Sequence, residues 1–400
     1  MGDKIKVLLL DTNDAFGGVV RGHMMFLRIT DRTRFEMFAA VLGHGAVLAR
    51  FLEIPNVTFW KMEVGTKTAK WCVGWRGRLA EAWSVVPLTW TALRLAVLCK
   101  RHGIQMIHSS DKKRSLLLVL LLHRFTGLPF LYHIHNNYID YPANREALAH
   151  AEIVIANSGE MRRDFIQWLG PKMERIRVVY NGMDAERFRP GLPSTLRQEI
   201  GAAPDDVVIG ISSRLAPDKG QETFLLAAAR VIAQEPRARF VIVGDDAIFS
   251  DNADYVPMLR KMALEKGLAG RVHFLGFRSD MPNIYPGLDI LVNAAWREAF
   301  GLVVVEAMAC CRVVIGTQAG GIPEIITHGK DGFLFPVRDE QQLAELLLEA
   351  LRQPELRERI GLAARQTVLD RFTIQRQVHD HEKLYEELAN LPLPSSNHKS

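Results

Sequence analysis

Apolar runs five to eight residues long recur along the chain, separated by longer stretches of helical periodicity. Lys6-Val7-Leu8-Leu9-Leu10 is the first. An unbroken apolar run of that length predicts a strand covered on both faces, as in a parallel sheet. A polar loop, Asp11 to Gly18, leads into a helix predicted over Val19–Ile29. The alternation continues with strands at Phe35–Leu42, Val57–Val64, Gln105–Ser110, Pro129–His135, Ile153–Asn157 and Ile176–Asn181. A helix is predicted over Lys112–Phe125, and residues 71–99 read as mostly helical, with Pro87 expected to break them into two pieces. Strand alternating with helix predicts a doubly wound parallel sheet.

The pattern then pauses. Asn181-Gly182-Met183-Asp184 reads as a turn, and Phe188-Arg189-Pro190-Gly191-Leu192-Pro193 as a linker. Beyond it the same alternation restarts. Strands are predicted at Val207–Ser213, Arg239–Gly244, Val272–Phe277, Ile290–Ala295, Val313–Thr317 and Gly332–Pro336, with helices between them. From Glu340 the pattern is helical to about Leu391, interrupted near Pro354, and a polar tail, 391–400, is expected to be disordered. The expected domains are therefore 1–190 and 191–372, both Rossmann-like.

A length of 400 residues agrees with two cores rather than one. Charge adds an asymmetry. Residues 1–190 hold 27 Lys and Arg against 17 Asp and Glu, and residues 191–400 hold 23 against 28. The basic first half suits anionic lipid headgroups or phosphorylated acceptors, or is a scattered basic surface without a partner. Nucleic acid is disfavoured, because the second half is acidic and no recognised binding module occurs. Cys72, Cys99, Cys310 and Cys311 show neither CxxC nor Cys/His ligand spacing. A reduced, intracellular protein without a structural metal is expected. No signal peptide is recognised, and no run reaches the ~20 apolar residues of a membrane span.

Candidate chemistry collects in the stretch from Trp296 to Pro336. Glu298 falls in the loop after the strand at Ile290–Ala295, and Glu306 eight residues on, in the following helix. Phe300-Gly301-Leu302 marks that helix's start, where backbone N–H groups and the positive dipole end can hold an anion. Read alone, this is an anion seat between two carboxylates or a plain crossover with two surface acids. In Ser213-Arg214-Leu215-Ala216-Pro217-Asp218-Lys219-Gly220, Arg214 and Lys219 flank a strand-to-helix loop. Two cations there can neutralise a diphosphate or stand solvated at the surface. Gly17-Gly18 before a helix allows close phosphate approach, or serves as a structural turn. His133 and His135 share one face of a strand; they could pair on a metal, but no third ligand lies nearby in sequence. Trp71, Trp75, Trp83 and Trp90 are interleaved with Lys70, Arg76, Arg78 and Arg94, a pattern suited to a membrane interface or to core packing.

Taken jointly, these pieces resemble the retaining nucleotide-sugar glycosyltransferases of the GT-B fold, family 4, also called glycosyl transferases group 1. The resemblance spans about Lys4 to Leu388. It rests on Asn181-Gly182-x-Asp184-x-x-x-Phe188, Arg214-x4-Lys219-Gly220, Glu298-x7-Glu306, Gly320-Gly321-x-Pro323-Glu324 and Gly329-x-x-Gly332-Phe333-Leu334. It implies two doubly wound Rossmann-like domains facing across a cleft, with a C-terminal helix at about 373–390 crossing back to the first domain. It also implies site roles. Gly17 and Gly18 would approach the donor phosphate, and Arg214 and Lys219 would clamp the diphosphate. Glu298 would bind the transferred sugar, and the N–H groups around Phe300, Gly301 and Leu302 would meet the distal phosphate. Glu306 would bind the ribose, and the Gly276-Phe277-Arg278-Ser279-Asp280 loop would border the base. His135, rather than His133, matches the family's histidine near the sugar.

The activity so implied is hexosyl transfer (EC 2.4) from a nucleotide diphosphate sugar to a hydroxyl of a glycan or lipid-linked acceptor. The setting would be cell-envelope polysaccharide or glycolipid synthesis, in the cytoplasm at the inner face of an anionic membrane. No cofactor and no metal are implied. A nucleotide-sugar epimerase of the same fold and a non-catalytic carbohydrate-binding protein are the rival readings. One departure stands out: after the second glutamate the family has Gly-x-Pro, where this chain has Cys311 and Val313, so a different backbone turn is expected there.

Overall fold

The computed structural model describes residues 3–12, 18–42, 46–62, 75–110, 113–135, 148–169, 175–245 and 254–390. They form two compact units, Met1–Tyr180 with Gln375–Ser400, and Asn181–Ile374.

The first unit holds β1 (Ile5–Asp11), β2 (Phe35–Val41), β3 (Thr58–Lys61), β4 (Met106–Ser110), β5 (Phe130–Ile134), β6 (Ile153–Ala156) and β7 (Ile176–Val178). All pair parallel, in the order β3-β2-β1-β4-β5-β6-β7. Val7 to Leu10 are fully buried, as a central strand covered on both faces requires. The helices include α1 (Gly18–Ile29), α2 (Ala46–Leu52), α3 (Trp75–His102) and α4 (Lys113–Thr126). α2 has no counterpart in the sequence reading; at seven residues it is too short for periodicity to reveal. α3 runs through Pro87 instead of breaking there. Pro87 is exposed, and the helix continues through it without an N–H at that position.

The C-terminal helix, Ile374–Ala389, packs in this unit from Gln375 onward. Tyr385 inserts fully buried between Phe26 and Phe35. Glu382 accepts from the Asp31 N–H at 2.8 Å, and Arg177 donates to Glu387 at 2.6 Å. Periodicity alone ran this helix into the one before it, whereas the resemblance placed its start at about 373; the chain breaks at Phe372-Thr373.

The second unit holds β8 (Val207–Ser212), β9 (Ala238–Val243), β10 (Val272–Gly276), β11 (Ile290–Asn293), β12 (Val313–Thr317) and β13 (Phe333–Phe335). These also pair parallel, in the order β10-β9-β8-β11-β12-β13. Its core gathers Ile209, Phe224, Phe240, Ile290, Ile315 and Leu347, all fully buried. The boundary falls at Tyr180/Asn181 rather than in the Pro-rich stretch near 190. Met183 bridges Thr373, its N–H donates to Phe372 at 2.9 Å, and Phe188 lies 5.8 Å from Tyr285. The turn and the Phe188 segment are thereby fastened to the second unit.

Candidate functional site

In the second sheet the connections run outward in opposite directions from β8 and β11, through β9 and β10 on one side and β12 and β13 on the other. Loops leaving the carboxyl ends of such a strand pair splay apart and leave room for a ligand. The loop after β8 carries Arg214 and, in the short turn Pro217–Lys219, Lys219. The loop after β11 carries Glu298 and leads to Gly301, which caps the helix Leu302–Ala309. Trp296 N–H donates to Asp218 O at 2.8 Å and so ties the two loops together. Across that tie, Lys219 Nζ lies 2.8 Å from Glu298 Oε2, with both side chains largely covered.

A third loop fixes Glu298 from below. Gly321 N–H donates to Glu298 O at 2.8 Å. Gly320, at φ +67°, comes so close that a Cβ there would stand 2.2 Å from Glu298 O and 2.6 Å from Glu298 N. Only glycine combines the left-handed conformation with that approach. The Gly320-Gly321 turn is therefore the backbone seat of Glu298.

Arg214 remains partly exposed, 3.9 Å from Asp218, while its carbonyl accepts from Gln221 Nε2 at 2.9 Å. Gln221 is fully buried and takes a hydrogen bond from Tyr255 OH at 3.2 Å. Below Gly301, Val304 N–H is the first to bond within the helix, to Gly301 O at 3.0 Å. The N–H groups of Leu302 and Val303 precede that ladder and point from the helix's positive end. Phe300 is buried, 5.7 Å from Phe372. Glu306 accepts from Tyr285 OH at 3.0 Å. Burial and the Glu306 carboxylate hold that phenol protonated, well above its ordinary range. Arg214, Lys219, Glu298 and the Gly301-Leu302 turn thus come from neighbouring strand ends, with Glu306 on the helix that follows; cations and open N–H groups can bind phosphate oxygens, and carboxylates can bind hydroxyls.

Gly276 closes β10 at φ +67°, and Phe277 beside it is 67% exposed. Asp280 is engaged: Arg278 grips it at 2.7 and 2.8 Å, and Asn283 donates to it at 3.1 Å. The Arg278 bonds and then Asn283 hold its carboxyl well below the usual range. Arg278 also donates to Glu199 at 2.6 Å.

Two features here escaped the sequence reading. Arg338 stacks 3.7 Å over the Trp296 ring, and Tyr285 orients Glu306. Neither sits in a motif, because their partners lie tens of residues away. Cys311 stands where the resemblance places a glycine. Cys311 has φ +59°, so the left-handed conformation in which glycine is at ease is adopted although cysteine occupies it.

In the first unit, Gly17 lies outside the described residues and Gly18 opens α1. The order of the strands reverses between β1 and β4, which pair parallel like the rest. Asp11 Oδ2 there lies 2.6 Å from His23 Nδ1, and His23 Nε2 lies 3.0 Å from Ser110 Oγ. His133 and His135 lie side by side, ring centroids 3.9 Å apart. His135 follows β5; burial of its ring, with His23 and His381 next, draws it down to about 3, so it is neutral at pH 7. His133 turns into the core beside His108 and His381. Lone histidines at positions 23, 108 and 381 carry no spacing signal, and only the fold assembles them. Trp71 and the tail 391–400 lie outside the described residues.

On the described part of α3, Leu88, Ala92, Leu95 and Cys99 are buried, while Val86, Trp90, Leu93 and Val97 are 41–67% exposed. The two sets are offset by two residues, about 200° around a helix, so they mark opposite faces. Among the described residues no helix is long and apolar enough to cross a membrane.

Comparison with known proteins bears on this geometry. Residues 194–367 match the family model for glycosyl transferases group 1, and residues 72–187 that for glycosyltransferase family 4. A D-inositol 3-phosphate glycosyltransferase of Saccharomonospora viridis is 27% identical over 60% of this chain and 57% of its own length. An N-acetyl-alpha-D-glucosaminyl L-malate synthase of Bacillus anthracis is 28% identical over 60% of this chain and 61% of its own. The chain thus spans about three fifths of these curated relatives. The solved structure of Anabaena HepE in complex with UDP and glucose is 28% identical, with a TM-score of 0.76 over 97% of this chain and all of that one.

Proposed function

The chain belongs to the glycosyl transferases group 1 family and has the GT-B fold, and we propose that it moves a sugar from a nucleotide diphosphate sugar to a hydroxyl of a glycan or lipid-linked acceptor, with retention at the anomeric carbon. The observation that carries this reading is the Lys219–Glu298 pair at 2.8 Å, held between the ends of β8 and β11, where the strand order of the second sheet reverses, and followed by the open start of the helix Leu302–Ala309.

Departure of a nucleoside diphosphate leaves growing negative charge on the phosphate oxygens. Arg214, Lys219 and the Leu302 and Val303 N–H groups are preorganised donors for that charge. Glu298 takes sugar hydroxyls and Glu306 the ribose, steadied by Tyr285. Because Lys219 compensates its charge, Glu298 is a weak nucleophile, which favours a route in which the leaving phosphate accepts the acceptor's proton on the same face. Gly276, Phe277 and Asp280 border the base. His135 is the first unit's candidate for contacting the sugar; neutral at pH 7, it can donate a hydrogen bond from one nitrogen and accept at the other. None of these roles calls for a metal.

The exposed apolar stripe of α3, with Arg94 and Lys100 also exposed along it, supports a peripheral contact with an anionic membrane at its cytoplasmic face, where an envelope-glycan acceptor would be met. HepE's complex with UDP puts UDP-sugars first among donors to try. The test is hydrolysis across UDP-, GDP- and ADP-sugars without acceptor, followed by NMR. Slow release of nucleoside diphosphate and a free sugar of the donor's anomeric form supports the reading. An epimerised sugar nucleotide would replace transfer by epimerisation, and inertness with no binding of any donor would leave a carbohydrate-binding protein.

A further inference from the structure

Three histidines meet in the interior of the first unit, outside every group assigned above to the donor. His108 stands on β4, His133 on β5 and His381 on the C-terminal helix, each 2% exposed. β4 and β5 pair with His108 opposite Leu131 and Ser110 opposite His133, so His108 and His133 lie on one face of the sheet, and His381 comes down on that face. One ring nitrogen from each lies within 4.8 Å of the others.

Two of the three rings, His381 and His108, carry a partner on the outer nitrogen. His381 Nδ1 donates to Gln377 O at 2.8 Å, which leaves its Nε2 as a lone pair. That Nε2 lies 3.4 Å from His133 Nδ1. The separation is long for a hydrogen bond but matches the ~3.4 Å between two nitrogens that each bind one tetrahedral ion at ~2.0–2.1 Å. His108 Nδ1 is held by Tyr385 OH at 2.5 Å, which directs its Nε2 inward. Among the described residues, His108 Nε2 and His133 Nε2 are buried without a hydrogen-bond partner. Buried imidazole nitrogens normally find one, and ligating histidines characteristically carry a partner on the other nitrogen. All three rings are neutral at pH 7, burial being the main cause. Neutral imidazole is the ligating form.

We propose that His108, His133 and His381 form a binding site for a divalent transition-metal ion of the zinc type, which pins the C-terminal helix to β4 and β5. Three imidazoles suit zinc, with a water as the fourth ligand. The ligands sit 25 and 248 positions apart along the chain (108, 133, 381), so the ion would close a loop containing the whole second unit.

The test uses the full chain without a histidine tag, stripped with chelator and titrated with Co(II) and then Zn(II). The expected result is about one equivalent bound, visible Co(II) bands of tetrahedral intensity that Zn(II) bleaches, and a Tm that rises on loading. His108→Gln and His381→Gln should each weaken binding at least ~10-fold while the far-UV circular dichroism of the metal-free protein is kept. His123→Gln, whose ring bonds Leu128 O, should bind as the wild type does. Binding of under a tenth of an equivalent by the folded wild type overturns the proposal. So does undiminished binding by a chain carrying both His108→Gln and His381→Gln, which would place the ion elsewhere. Should the substituted chains fail to fold, the stoichiometry and Co(II) spectrum of the wild type decide.

Discussion

Replacing Gly320 with alanine tests whether Glu298 is seated by the backbone beneath it. An alanine Cβ would meet Glu298 O at 2.2 Å, whereas ordinary contact starts near 3.4 Å. The opposing atom is backbone, so no rotamer change relieves it, and Glu298 must shift by about 1 Å. Two costs add. Holding alanine in the left-handed conformation costs ~1–2 kcal/mol, and forcing the packed loops apart another ~1–3 kcal/mol. Gly267, at φ +71° with nothing within 4 Å of its Cβ position, isolates the first cost. Urea unfolding should therefore show Gly320→Ala destabilising by about 2–5 kcal/mol and Gly267→Ala by about 1–2 kcal/mol. Activity should separate them further. A misplacement of ~1 Å at a positioning group can cost ~100-fold in rate, so donor turnover should collapse in Gly320→Ala and persist in Gly267→Ala. Equal destabilisation and equal turnover in the two variants would refute the seat.

Cys311→Gly should stabilise the protein by roughly 0.5–1 kcal/mol, since relief of left-handed strain exceeds the added unfolded-state entropy; an unchanged or lower urea midpoint would contradict it. Arg278 depresses Asp280 and Glu199, so its stabilisation is present above the ordinary carboxylate range and is lost as pH falls through the lowered values. After discounting for solvent, Arg278→Ala should cost about 0.5–1 kcal/mol at pH 7 and less at pH 3, and a difference unchanged between the two pH values would exclude the ion pairs as its source. Trp90→Asp should reduce co-sedimentation with anionic vesicles at low salt without altering donor hydrolysis in solution; equal sedimentation would remove α3 from the membrane contact.

The strands were legible because parallel strands buried on both faces leave unbroken apolar runs, as Val7 to Leu10 and Val313 to Ile315 do. Most of their ends were read one to three residues long, in part because apolar character continues past the last ladder bond, as at Ala294 and Ala295. The donor-site candidates were legible because strand end, loop and helix start lie within a few residues of each other, which keeps Arg214 with Lys219 and Glu298 with Glu306 on one line of sequence. What joins those lines was not. The Lys219–Glu298 pair spans 79 positions, and Arg338 reaches Trp296 from a left-handed turn. The histidine cluster is the extreme case. His133 announced itself through its neighbour His135, but the rings it meets come from another strand and from the C-terminal helix. The unit boundary moved for a related reason: proline content suggested a linker, while the Met183–Thr373 bridge fastens the preceding turn to the second unit.

The central claim is that the second unit clamps a nucleotide diphosphate through Arg214 and Lys219 and places the sugar against Glu298. Calorimetry of UDP, GDP and ADP binding to the wild type, Arg214→Ala and Lys219→Ala, paired with turnover of the donor that binds, tests it most directly. Each substitution should weaken the preferred nucleotide at least ~10-fold and cut turnover ~100-fold or more, with circular dichroism unchanged. Variants that bind the same nucleotide and turn it over as the wild type does would contradict the account.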